Sequence, residues 1–168
     1  MNHKHTTQDA RLNATDIPNS ARTPCIGVCS TTSVGDSICR GCKRYAFEVI
    51  RWNGYSDAEK VAVLRRIEAL TVQIMQDKFV IHSEALLKEG VQGCRLPVNV
   101  ALSPCCWLHN LLKKGSIDHL VPEDFGFAVK EAYRQMPLAA LAELVDDELL
   151  RLCGAHFARY YKLTDSLS

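Results

Sequence analysis

The chain has 168 residues, 47% of them hydrophobic and 23% charged, with a formal net charge of +1. That is enough apolar material for one ordinary domain or two small ones, and too little net charge for an overall polyelectrolyte. No apolar stretch reaches the ~20 residues a membrane span needs, and residues 1–16 lack the apolar core of a signal peptide, so a cytoplasmic protein with no membrane role is expected.

Residues 1–23 are polar and aperiodic, which predicts a disordered tail because they bury too little to offset the entropy of ordering. From residue 24 to 42 the chain is loop-like, with Gly27, Gly35 and Gly41 and no sustained period. Such a segment cannot hold one conformation by packing alone.

After Cys42 the pattern becomes helical. Tyr45, Val49 and Trp52 form a stripe on a short helix that stops near Gly54. Ser56 and Glu59 read as a capping box for a second helix, with Val61, Leu64, Ile67, Leu70 and Ile74 on one face and Arg65, Arg66 and Glu68 away from it. A helix is expected over 79–89, closed by Gly90, and coil from 91 to 103. Ser103-Pro104 begins a helix through Lys114. Pro122 begins another, with Phe125, Val129, Ala132, Tyr133 and Met136 as its stripe, and Pro137 begins a long one to about residue 163. The expected fold is mainly α. A four-cysteine module with two helices spans 24–76, and a helical C-terminal region spans 77–168.

Eight cysteines are present, and Cys25, Cys29, Cys39 and Cys42 fall within eighteen positions. In a reducing compartment such a cluster points to metal ligands or reactive thiols before disulfides. Two short pairs joined by a nine-residue loop can place four sulfurs at the corners of a tetrahedron. Gly27 and Gly41 let amide hydrogens approach the sulfurs, while Arg40, Lys43 and Arg44 offset thiolate charge. The metal is left open, since four thiolates suit zinc and an iron–sulfur cluster alike. A redox dithiol at Cys39 and Cys42 is the rival thiol-oxidoreductase reading, although the strand and crossover helix of a thioredoxin-like site are not evident.

Pro24-Cys25-Ile26-Gly27-Val28-Cys29, Gly35, Cys39-Arg40-Gly41-Cys42-Lys43-Arg44, Glu48, Trp52 and the helix start at Ser56 together resemble the DUF1289 family of small bacterial proteins, over about residues 24–70. The resemblance implies an iron–sulfur protein of uncharacterised role. Tyr45 departs from it, standing where a small hydroxyl residue is expected.

Elsewhere, Cys94, Cys105, Cys106 and His109 carry three open readings: packing, a second metal site, or a reactive thiol at a helix start. Core-like neighbours Trp107, Leu108, Leu111 and Leu112 favour packing. Cys153 lies on an apolar stripe, and Asp146-Asp147-Glu148 reads as a solvated face. Residues 40–66 hold seven basic against three acidic residues, a local charge of +4, which is a candidate surface for nucleic-acid phosphates. No phosphate loop, nucleophile elbow or paired-carboxylate motif is found. The expected role is a non-catalytic metal-binding protein with a protein partner; the alternatives are a nucleic-acid-binding zinc module and a thiol oxidoreductase.

Overall fold

A computed structural model describes residues 23–161. The expected tail therefore lies, but for Thr23, outside the described residues.

The described chain is mainly α, with six helices and one two-stranded sheet. A five-residue helix, α1 (Ser30–Val34), interrupts the cysteine loop and ends on Gly35 at φ 79°. The sequence hides it, because one turn has too few residues to show a period. Helix α2 (Ala46–Arg51) runs into a 3-10 turn at Trp52–Gly54. Helix α3 (Asp57–Lys78) starts at the expected box, where the Ser56 amide and Glu59 carboxylate bond at 2.8 Å and the Glu59 amide returns to Ser56 Oγ at 3.3 Å.

The segment expected to be helical over 79–89 divides in two. Phe79–Ile81 is strand β1, and Ser83 then caps helix α4 (Glu84–Gly93). A Phe-Val-Ile run is too short for period alone to distinguish strand from helix, and here its partner strand decides. That partner is β2 (Phe127–Val129), antiparallel, with Phe79 opposite Val129 and Ile81 opposite Phe127. The helix expected from Pro122 is thus replaced by a 3-10 turn at Pro122–Phe125, β2, and a second 3-10 turn at Glu131–Tyr133. Gly126, at φ 71°, makes the break; a Cβ there would lie 2.4 Å from the Ser83 carbonyl oxygen. Phe125, Val129 and Tyr133 still reach the core, which explains why their spacing mimics a helical stripe. Helix α5 (Pro104–Lys114) and the long helix α6 (Leu138–Tyr160) form as expected.

The main core gathers Met75, Phe79, Leu87, Leu108, Phe127 and Leu141 from α3 through α6. A smaller cluster of Leu70, Leu149 and Cys153 lies between α3 and α6, with Ile38 of the cysteine loop packed on it. Helix α3 is consequently covered on more than one side, and its most buried positions are Val63, Leu70, Thr71, Met75 and Lys78 rather than the single stripe expected. Arg66, expected to face outward, turns inward to pair with Glu48.

The acidic run on α6 is likewise not a solvated face. Asp146 accepts from Lys43 and Lys113, and Glu148 pairs with Lys78, whose side chain is fully buried. Adjacent helical residues diverge, so two separate lysine systems are served from one short run.

Candidate metal centre

The second cysteine pair sits on a tight reversal. The Ile38–Tyr45 bridge closes it from outside, and within it the Cys39 amide donates to the Arg44 carbonyl and the Lys43 amide to the Cys39 carbonyl, each at 2.8 Å. Lys43 adopts φ 63°, the left-handed geometry that reverses the chain. Cys39 and Cys42 are both buried by this turn, and their side chains hydrogen-bond to each other.

Burial alone would raise the Cys39 thiol. The amides of Cys42, Ser30 and Gly41, with the Cys42 side chain, outweigh it and hold the group at about 6, so Cys39 is largely thiolate at neutral pH. Burial pushes Cys42 upward, and Arg44 offsets part of that rise by donating from Nε to Cys42 Sγ at 3.3 Å. The Arg44 guanidinium also stacks 4.6 Å above the Trp52 ring, which fixes its position.

The first cysteine pair lies against this turn. A Cβ added to Gly41, between Cys39 and Cys42, would stand 2.8 Å from Ile26 Cδ1 and 3.3 Å from the Val28 carbonyl oxygen, both from between Cys25 and Cys29. The Arg40 amide donates to Ser30 Oγ at 2.9 Å, and Ser30 directly follows Cys29. Gly41 thus lies against the loop of the first pair, where a larger residue would have to displace the exposed Ile26 side chain and crowd the Val28 carbonyl. Cys25 is exposed and Cys29 half-buried. Among the described residues no group of three or more His, Cys, Asp or Glu side chains is arranged to hold a metal ion. By donor type alone, four thiols with amides on Cys39 and a guanidinium on Cys42 would suit a soft metal.

Tyr45, standing where a small hydroxyl residue such as Thr is expected, is fully buried among Phe157, Tyr161 and Phe47, with centroids at 5.0, 5.3 and 5.8 Å. The Arg66 guanidinium covers its ring at 3.6 Å. The larger ring thus anchors the turn to the end of α6, a contact that Thr is too short to make.

The structure does not gather the second candidate set into a site. Cys94 is exposed, while Cys105 lies in the core. Burial raises Cys105 despite the Ser103 hydroxyl, and pushes Cys106 up to about 12. His109 is held down at about 4 by burial and by Lys113, so its ring is neutral near pH 7. Both thiols at the helix start are thus protonated at neutral pH, the reverse of an activated nucleophile. Cys153 is fully buried, as its stripe predicts.

In the basic segment, Lys43 and Arg44 are buried and Arg66 is mostly covered, while Arg40 pairs with Asp36 and Arg65 with Glu68. Much of its charge is directed inward or already paired. Ser30, Lys113 and Asp146 surround the turn but escape sequence reasoning, since Lys113 is 72 residues from its partner Gly41 and Asp146 is 103 from Lys43.

Residues 23–71 match the DUF1289 family, described as a protein of unknown function. The DUF1289 segment contains all four cysteines, α1, α2 and most of α3, and its end falls inside α3. No curated protein and no solved structure matches the chain. Among the described residues no helix is long and apolar enough to cross a membrane.

Proposed function

We propose that Cys25, Cys29, Cys39 and Cys42 hold a single metal centre, zinc or iron–sulfur, and that this cytoplasmic protein acts without catalysis as a redox or sensing partner, or as an adaptor. The observation that carries the reading is the contact between the segments that bear the two cysteine pairs, in which Gly41 lies against Ile26 and the Val28 carbonyl oxygen. A zinc ion there would staple the loop, and an iron–sulfur cluster would add one-electron chemistry. Amide hydrogens on Cys39 and the guanidinium on Cys42 would stabilise the thiolates in either case.

Val28, Val34 and Ile50 of the same segment are 74%, 70% and 76% exposed, and a protein partner is proposed to cover them. The inward direction of Lys43, Arg44 and Arg66 makes nucleic acid the weaker reading.

Anaerobic purification followed by metal, acid-labile sulfide and visible-absorption analysis tests the proposal. A coloured protein with labile sulfide identifies the cluster, and a colourless one carrying zinc identifies the staple. Folded protein that takes up neither overturns the proposal.

A further inference from the structure

The turn between Cys39 and Cys42 contains two peptide units whose opposite faces do different work. The Gly41 amide belongs to the peptide that carries the Arg40 carbonyl, and the Cys42 amide to the one that carries the Gly41 carbonyl. Both amides donate to the Cys39 sulfur. Both carbonyls are held by ammonium groups: Lys43 Nζ donates to Arg40 O, and Lys113 Nζ to Gly41 O at 3.1 Å. In a planar trans peptide the N–H and C=O point in opposite directions, so a cation on the oxygen both fixes the plane and polarises the amide toward the sulfur. Asp146 Oδ1 accepts from both lysines, at 2.8 Å from Lys43 and 3.1 Å from Lys113, and so holds the pair together.

We infer that Lys113, Lys43 and Asp146 form a clamp, supplied largely by α5 and α6, that aims the two turn amides at the Cys39 sulfur and thereby sets how tightly the cysteine centre holds its metal. The inference rests on the proposed four-cysteine centre and deepens it, making these three positioning residues. It also gives the C-terminal helices a role, since α5 carries Lys113 and α6 carries Asp146.

Lys113 is the residue to test, because it is partly exposed and its loss leaves no buried charge without a partner. The full chain, stripped of metal, is titrated with Co(II) and with Zn(II) against a competing chelator, following the thiolate-to-cobalt absorption, while thermal unfolding of the metal-free chain is recorded in parallel. Removal of such outer groups lowers metal affinity by about 10–100-fold, so Lys113→Met is expected to lose at least about tenfold while the metal-free midpoint stays in place, and Lys113→Arg to recover most of the loss. Asp146→Asn, a second variant, is expected to weaken affinity in the same sense. A loss below about tenfold in Lys113→Met overturns the inference. So does a loss that Lys113→Arg does not recover, or one accompanied by a lower metal-free midpoint, since either is a general structural effect. Wild-type protein that binds neither metal and, purified anaerobically, holds no iron–sulfur cluster overturns the four-cysteine centre itself.

Discussion

Glu48→Ala is expected to destabilise the protein by about 3–5 kcal/mol, because it leaves one partner of a buried ion pair uncompensated. Glu48 is 4% exposed at its side chain and holds Arg66, 19% exposed, through two oxygens at 2.8 and 2.9 Å. The same carboxylate accepts from the Tyr45 amide at 2.8 Å, which closes the first turn of α2. Truncation therefore removes a two-point pairing and a helix-start acceptor together. It also releases the guanidinium that covers Tyr45, and with it the contact between the cysteine turn and α6. Denaturant unfolding of the variant measures the effect; a change under about 1 kcal/mol, the range of exposed pairs, would show that the pair is solvated in solution.

Cys39→Ser is expected to abolish stoichiometric metal binding while leaving the helical core folded. A lost ligand removes more than the about 10–100-fold that an outer-shell change removes, and serine oxygen is a poor substitute for a soft thiolate. Cys39 is also the sulfur on which the turn amides converge, so its replacement disperses the donors as well as the ligand. The core of Met75, Leu87, Leu108 and Leu141 lies outside the cysteine loop and has its own packing. Metal analysis should show loss of the centre, far-UV circular dichroism should keep its helical signal, and hydrogen exchange should quicken over residues 25–44. Unchanged metal content would remove Cys39 from the ligand set.

What was legible in the sequence divides along physical lines. Helices α3, α5 and α6 could be read because each has a long period or a start signal, Ser56, Ser103-Pro104 and Pro137, that acts locally. The sheet could not, because β1 and β2 are three residues each and exist only by pairing across nearly fifty positions. The apolar residues from Phe125 to Met136 illustrate the point: their spacing suits a helix, and Gly126 against the Ser83 carbonyl prevents one. At the candidate site the four cysteines are visible as a local pattern, and so are Arg40, Lys43 and Arg44 beside them. The buried state of Lys43 and Arg44 is not, since charged residues are ordinarily exposed and only the tertiary partners Asp146 and Trp52 reverse that expectation. Lys113 and Asp146 carry no local signal because their connection to the turn passes through the packing of α5 and α6.

X-ray absorption on metal-loaded, anaerobically prepared wild-type protein is the most direct test that these four cysteines share one centre. A first shell made only of sulfur, four neighbours at about 2.3 Å per metal, is the expected result. A shell containing nitrogen or oxygen ligands, or fewer sulfurs, would contradict it.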